Sequence, residues 1–159
     1  MSRYGFVSLS TIGVAVLAAA TLLPIHQPET RAHCQVPCGI YNDDARIKHL
    51  REDSTTIAKA IANITDLAGR QDANSFNQAA RWVATKEEHA SDTIKTVSEY
   101  FLAQKVKPVA SDSHGYSAYL KKLADHHAVM VAAMKTKQSA DPANVEALNE
   151  AIEKLATHY

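Results

Sequence analysis

Three clusters of helix breakers divide residues 42–159 into four stretches, and each stretch repeats apolar residues at intervals of three and four. That interval is the signature of a helix with one buried face. The first stretch opens on Asn42-Asp43-Asp44, side chains that cap a helix and put negative charge at its positive end. It carries Ile47, Leu50, Ile57, Ile61 and Ile64, with Ser54 between, on a narrow seam that reaches Gly69. Gly69-Arg70-Gln71-Asp72-Ala73-Asn74 is the turn. The second stretch spans about 75–104, with Phe76, Ala80, Val83, Ala90, Ile94, Val97 and Phe101 expected on the inner face and the polar Lys86-Glu87-Glu88-His89 interrupting the stripe. Lys107-Pro108 ends it, because the proline ring cannot continue the hydrogen-bond ladder.

After the connection Ser111-Asp112-Ser113-His114-Gly115, a third helix is expected to carry Tyr116, Leu120, Leu123, His127, Met130 and Met134 inward and to stop near Gln138. In Ser139-Ala140-Asp141-Pro142 the chain restarts, with Asp141 as cap and Pro142 in the first turn. The last helix uses Val145, Leu148, Ile152 and Leu155. Only 5 Gly and 5 Pro in 159 residues, with abundant Ala and few aromatics, also favour helix over sheet. Four such helices joined by connections of roughly 5–10 residues predict antiparallel neighbours in an all-α, up-and-down four-helix bundle. The 17 basic and 17 acidic side chains balance, and nothing suggests a nucleic-acid partner.

Residues 1–32 differ in character. Arg3 is followed by an uncharged apolar run over 6–23 and then by Pro24-Ile25-His26-Gln27-Pro28, the layout of a secretory signal. Thr30 and Ala32 put small residues third and first before His33, so cleavage by a processing protease is expected there. The protein would then be exported to a periplasmic, extracellular or organelle lumen. An uncleaved membrane anchor is the weaker alternative. The shortened chain keeps 15 basic against 16 acidic residues.

Residues 33–41, His33-Cys34-Gln35-Val36-Pro37-Cys38-Gly39-Ile40-Tyr41, hold both cysteines of the protein. Two Cys are too few for a disulfide framework in a domain of this size. Thiolates and an imidazole together favour a late transition metal over Mg or Ca. No second Cys pair exists to complete a zinc finger. Cleavage between Ala32 and His33 offers another completion. The freed amine of His33 and the amide nitrogen of Cys34 would close one chelate ring, the Cys34 sulfur a second, and Cys38 the fourth corner. The His33 imidazole remains for an axial position. Planar nitrogen and sulfur donors point to Ni or Cu(II). Pro37 restricts Val36 and Gly39 relaxes the backbone, so Cys38 can bend back towards Cys34.

The segment resembles the hook of nickel-containing superoxide dismutases, whose mature chains begin His-Cys-x-x-Pro-Cys-Gly-x-Tyr. His33, Cys34, Pro37, Cys38, Gly39 and Tyr41 fit without a gap. The resemblance implies a four-helix bundle with the hook at one end, a homohexamer, one Ni per subunit and superoxide as substrate. It implies that His33, Cys34 and Cys38 bind the metal while nickel cycles between Ni(II) and Ni(III). It also implies that Tyr41 orders water at the open face, with Tyr100 of Glu99-Tyr100-Phe101 as its neighbour. A tyrosine at the rim, packed against another bundle, is the competing reading of Tyr100. Some relatives hold the axial His with a Glu on the first helix and an Arg on the second. Here those positions are Lys48 and His89, and Glu52 and Glu88 are candidate replacements. Gln35 stands where some relatives have an acidic residue.

Other features are blander. His127 on the seam reads as a hydrogen-bonded core histidine, with His126 pointing elsewhere, and Met130 and Met134 read as packing. Lys121-Lys122, Lys135 and Lys137 read as a solvated face that could also steer an anion. The competing function is a non-enzymatic exported bundle with a local Cys34–Cys38 disulfide.

Overall fold

The computed structural model describes residues 42–159; residues 1–41, with His33, Cys34, Cys38 and Tyr41, lie outside the described residues. Helix α1 runs Asp43–Leu67, α2 runs Ala73–Lys95 and passes into a π-wound segment Thr96–Lys105, α3 runs Tyr116–Gln138 and α4 runs Pro142–Ala156. Each of α1 and α3 packs on both α2 and α4, as in an up-and-down bundle.

Three of the four helix starts are set by side-chain caps, while α3 begins after Gly115 without one. Asn42 Oδ1 accepts from the Asp44 amide at 2.7 Å. Asp72 accepts from the Ser75 amide at 2.9 Å and Asp141 from the Ala143 amide at 3.0 Å, with Pro142 in the first turn of α4. At the end of α1, Gly69 takes φ +87°, a left-handed conformation that a side chain resists; nothing crowds its Cβ position, so the backbone angle alone asks for glycine.

Ile47, Leu50, Ile57 and Ile61 of α1 and Val145, Leu148, Ile152 and Leu155 of α4 are buried as the spacing predicts. A Leu or Ile buried in this way contributes about 1.5–3 kcal/mol. Ile64 is only half-buried, near the end of its helix.

The middle helices are rotated from expectation. In the first half of α2 the inward line is Ser75, Ala79, Trp82 and Lys86, the first three each one residue before an expected one, so Phe76 is 77% exposed, Val83 42% and Ala80 is also exposed. The two lines merge at Ala90, and Val97 and Phe101 are buried. The polar segment therefore does not interrupt the stripe, because Lys86 lies on it. Its ammonium donates to Thr136 O at 2.6 Å and Lys137 O at 2.7 Å, closing the C-terminal end of α3.

In α3 the buried residues are His126, Val129, Ala132, Ala133 and Thr136. His127, Leu120 and Met134 face solvent, while Tyr116, Leu123 and Met130 flank the seam half-buried. His126 and His127 have exchanged their expected roles. Successive helix residues are about 100° apart, so a line drawn through the largest apolar side chains lands one residue away from the inner one when the inner one is small or polar.

The second helix was expected as one uniform element to Gln104. From Thr96 its winding loosens, and the Val106 amide reaches back five residues to Phe101 O at 3.0 Å. Such wide turns change which side chains share a face. Here Tyr100 and Phe101, neighbours in sequence, are both buried.

Candidate metal centre

The chain enters α1 from the hook at Asn42, so one end of the bundle receives it. The same end gathers Tyr100 and Lys105 from the π-wound segment, Lys122 and His126 from α3, and Tyr159 after α4. Tyr100 Oη donates to Asp43 Oδ1 at 2.6 Å, and Lys105 Nζ lies 3.0 Å from the same oxygen. The Arg46 guanidinium and the Lys105 ammonium sit 5.4 and 5.7 Å from the centre of the Tyr100 ring, in range of its negative face. Burial, helped by the Asp43 carboxylate, pushes the Tyr100 hydroxyl up to about 12. It keeps its proton at neutral pH and donates rather than accepts one.

Behind Tyr100 an aromatic line leads inward. Its ring meets Phe101 edge-on at 5.1 Å, and Phe101 lies 4.6 Å from Tyr159. His126, fully buried, has both nitrogens engaged, with Lys122 O 2.6 Å from Nδ1 and Tyr159 Oη 2.9 Å from Nε2. A carbonyl only accepts, so Nδ1 carries the proton and Tyr159 donates to Nε2. Burial pushes the imidazole below its ordinary range and the Tyr159 hydroxyl above its own. Next to this pair, His158 Nε2 and Lys121 Nζ each lie 2.7 Å from Asp125 Oδ2, and those hydrogen bonds hold the carboxylate below its usual range.

Lys48 pairs loosely with Glu52 at 3.7 Å in solvent, and Glu88 is exposed. His89 turns to Asp53, Nδ1 to Oδ1 2.7 Å, with His49 Nε2 3.6 Å from Asp53 Oδ2 and Thr93 donating across 3.5 Å. Asp53 is the buried carboxylate of this helix pair, and sequence reasoning passed it over. Its only signal was position, six residues after Ile47 and four before Ile57 on the seam. Asp43, Arg46, Lys105 and Tyr159 were also missed as members of the hook end. Tyr100 was anticipated there, and it is buried in its own bundle rather than standing at a rim.

Among the described residues, no group of three or more His, Cys, Asp or Glu could hold a metal ion. His126, its nitrogens taken, is no exception. The chain has only Cys34 and Cys38 to offer as sulfur ligands of the thiolate kind, and both lie in the hook.

A bundle of four helices defines a scaffold class that serves many chemistries, metal sites among them. A family model, nickel-containing superoxide dismutase, matches residues 28–159, and the chain belongs to that family. It is a superoxide dismutase of the nickel type, with nickel as its cofactor. No curated protein and no solved structure matches the chain significantly. The side chains of residues 33–41 include two thiols and an imidazole, donor types that suit a late transition metal such as nickel.

Proposed function

We propose that the nickel is held by His33, Cys34 and Cys38 in a chain cut between Ala32 and His33, through the new amine and imidazole of His33, the amide and sulfur of Cys34 and the sulfur of Cys38. The observation that carries this is the family match, which spans 28–159 and so includes the whole hook. Nickel bound there would supply a one-electron Ni(II)/Ni(III) couple lying between oxidation of superoxide to O2 and its reduction to H2O2.

The chain's own residues do the rest. Cleavage creates the amine donor, so the uncut precursor cannot complete the set. Tyr41 orders water at the open face and excludes larger molecules. Tyr100 keeps its proton and stays a donor. A groove of about 460 Å3 at this end is bordered by Lys105, Lys107, Lys121 and Lys122, and its positive field would draw in an anion such as superoxide. Export, removal of residues 1–32 by a processing protease, and assembly as a homohexamer complete the proposal.

The test is intact mass and metal content of the natively processed protein. A chain beginning at His33 with about one nickel per subunit supports the reading. A metal-free chain lighter than its reduced form by two hydrogens supports a Cys34–Cys38 disulfide and overturns it. Cys34→Ser or Cys38→Ser should abolish activity. His33→Ala should retain some nickel and lose turnover, and one residue added before His33 should do as much damage as losing a cysteine.

A further inference from the structure

Where the chain leaves the hook, one carboxylate joins two elements that are distant in sequence. Asp43, in the first turn of α1, takes a hydrogen bond from Tyr100 Oη at 2.6 Å and an ion pair from Lys105 at 3.0 Å. Both partners belong to the π-wound segment, whose wide turns bring Tyr100 inward beside Phe101. Arg46, one turn after Asp43, sits 5.4 Å from the centre of the Tyr100 ring, so the first turn of α1 is held at the phenol oxygen and at the ring together.

We propose that Asp43, Tyr100 and Lys105 form a clamp that fixes the base of the hook, making Asp43 and Lys105 positioning residues for the nickel site. Asp43 is two residues from Tyr41 and five from Cys38. Five residues of extended chain span at most about 17 Å, so the direction in which α1 begins limits where Cys38 can lie. The first turn is also secured by Asn42, whose side chain holds the Asp44 amide at 2.7 Å and whose carbonyl holds the Arg46 amide at 3.3 Å. Helix ends fray at low cost when tertiary contacts are removed. A hook on a frayed base would keep its donors and lose their alignment. The same clamp ties the winding of 96–105 to the start of α1, a role for the looser helix beside its part in core packing.

The proposal rests on the hook holding nickel, and its test separates the two. Tyr100→Phe keeps the ring and its cation contacts but removes the hydrogen bond. Asp43→Asn keeps an acceptor but removes the charge, and Asp43→Ala removes both. Hydrogen exchange on the full-length processed protein, nickel-free, reads the clamp alone. Tyr100→Phe and Asp43→Ala should speed exchange at the Asp44 and Arg46 amides by about tenfold or more, with the centre of α1 unchanged. Asp43→Asn should lie between them and the unaltered protein. Unchanged protection would overturn the clamp.

With nickel loaded, the variants should retain the metal, shift the thiolate-to-nickel absorption bands and lose turnover by roughly 10- to 100-fold, in the order Ala worse than Asn. Faster exchange with unaltered bands and rate would reduce the contact to a structural one and overturn the positioning role. If the unaltered protein proves to bind nickel elsewhere than the hook, the functional reading fails and the positioning role fails with it, while the exchange data still decide the contact.

Discussion

Lys86→Met removes an ammonium from the interior of the bundle and leaves most of its aliphatic stem in place. The residue is only 4% exposed, and its Nζ bonds Thr136 O at 2.6 Å, Lys137 O at 2.7 Å and Glu87 at 2.9 Å. Hydrogen bonds from a charged donor are worth about 1.5–3 kcal/mol each, so the two carbonyl contacts amount to about 3–6 kcal/mol gross. Keeping the ammonium out of water costs a few kcal/mol, which offsets part of that. The Glu87 contact adds little, since that carboxylate is well exposed. The net loss on substitution is about 2–3 kcal/mol. With an unfolding entropy near 2.1 cal/mol/K per residue over about 120 residues, Tm should fall by roughly 8–12 °C. Thermal and urea unfolding followed by helix circular dichroism measure this, with Glu87→Gln as the control expected to lose less than about 0.5 kcal/mol. A Lys86→Met protein as stable as the parent would refute the view that α3 is closed by this side chain.

The remaining predictions concern the other missed or confirmed residues. Because burial lowers the His126 pKa from its ordinary 6.5, the unfolded chain takes up a proton there first as pH falls. Its contribution is therefore complete above about pH 6.5 and is lost below it, and His126→Gln should flatten the fall of Tm between pH 7 and 5.5; an equal slope in both proteins would contradict this. Asp141→Ala should lower stability by about 1 kcal/mol and Asp141→Asn by much less, read from urea midpoints. Phe76→Ser and Val83→Ser, on the exposed line of α2, should each change subunit stability by no more than about 0.5 kcal/mol; losses of several kcal/mol would place them in the core after all.

The outer helices were legible because their inner faces are made of large aliphatic residues. Ile47, Leu50, Ile57 and Ile61, like Val145, Leu148, Ile152 and Leu155, announce the seam by size and spacing together, and Asn42 and Asp141 mark the starts by local hydrogen-bond chemistry. The hook motif stood out for a similar reason, since its residues are neighbours in sequence, and the family match spans it. Membership of a family by itself does not say what surrounds the hook. That is a matter of which helix positions meet.

Sequence alone thus determined four helices, the caps of the first and last, their order and, through the hook motif, the family. Only the tertiary structure decided that Lys86 and His126 point inward while Phe76 and His127 do not, that Asp53 receives His89, and that Asp43 meets Tyr100 across 57 residues. The reason is physical. A helix's period fixes the shape of its buried stripe but leaves its rotation open to within one residue, and a polar side chain is admitted to the interior only when a partner on another helix satisfies it. Those partners, a carbonyl at the end of α3 for Lys86 and a tyrosine beyond α4 for His126, become neighbours only once the chain has folded.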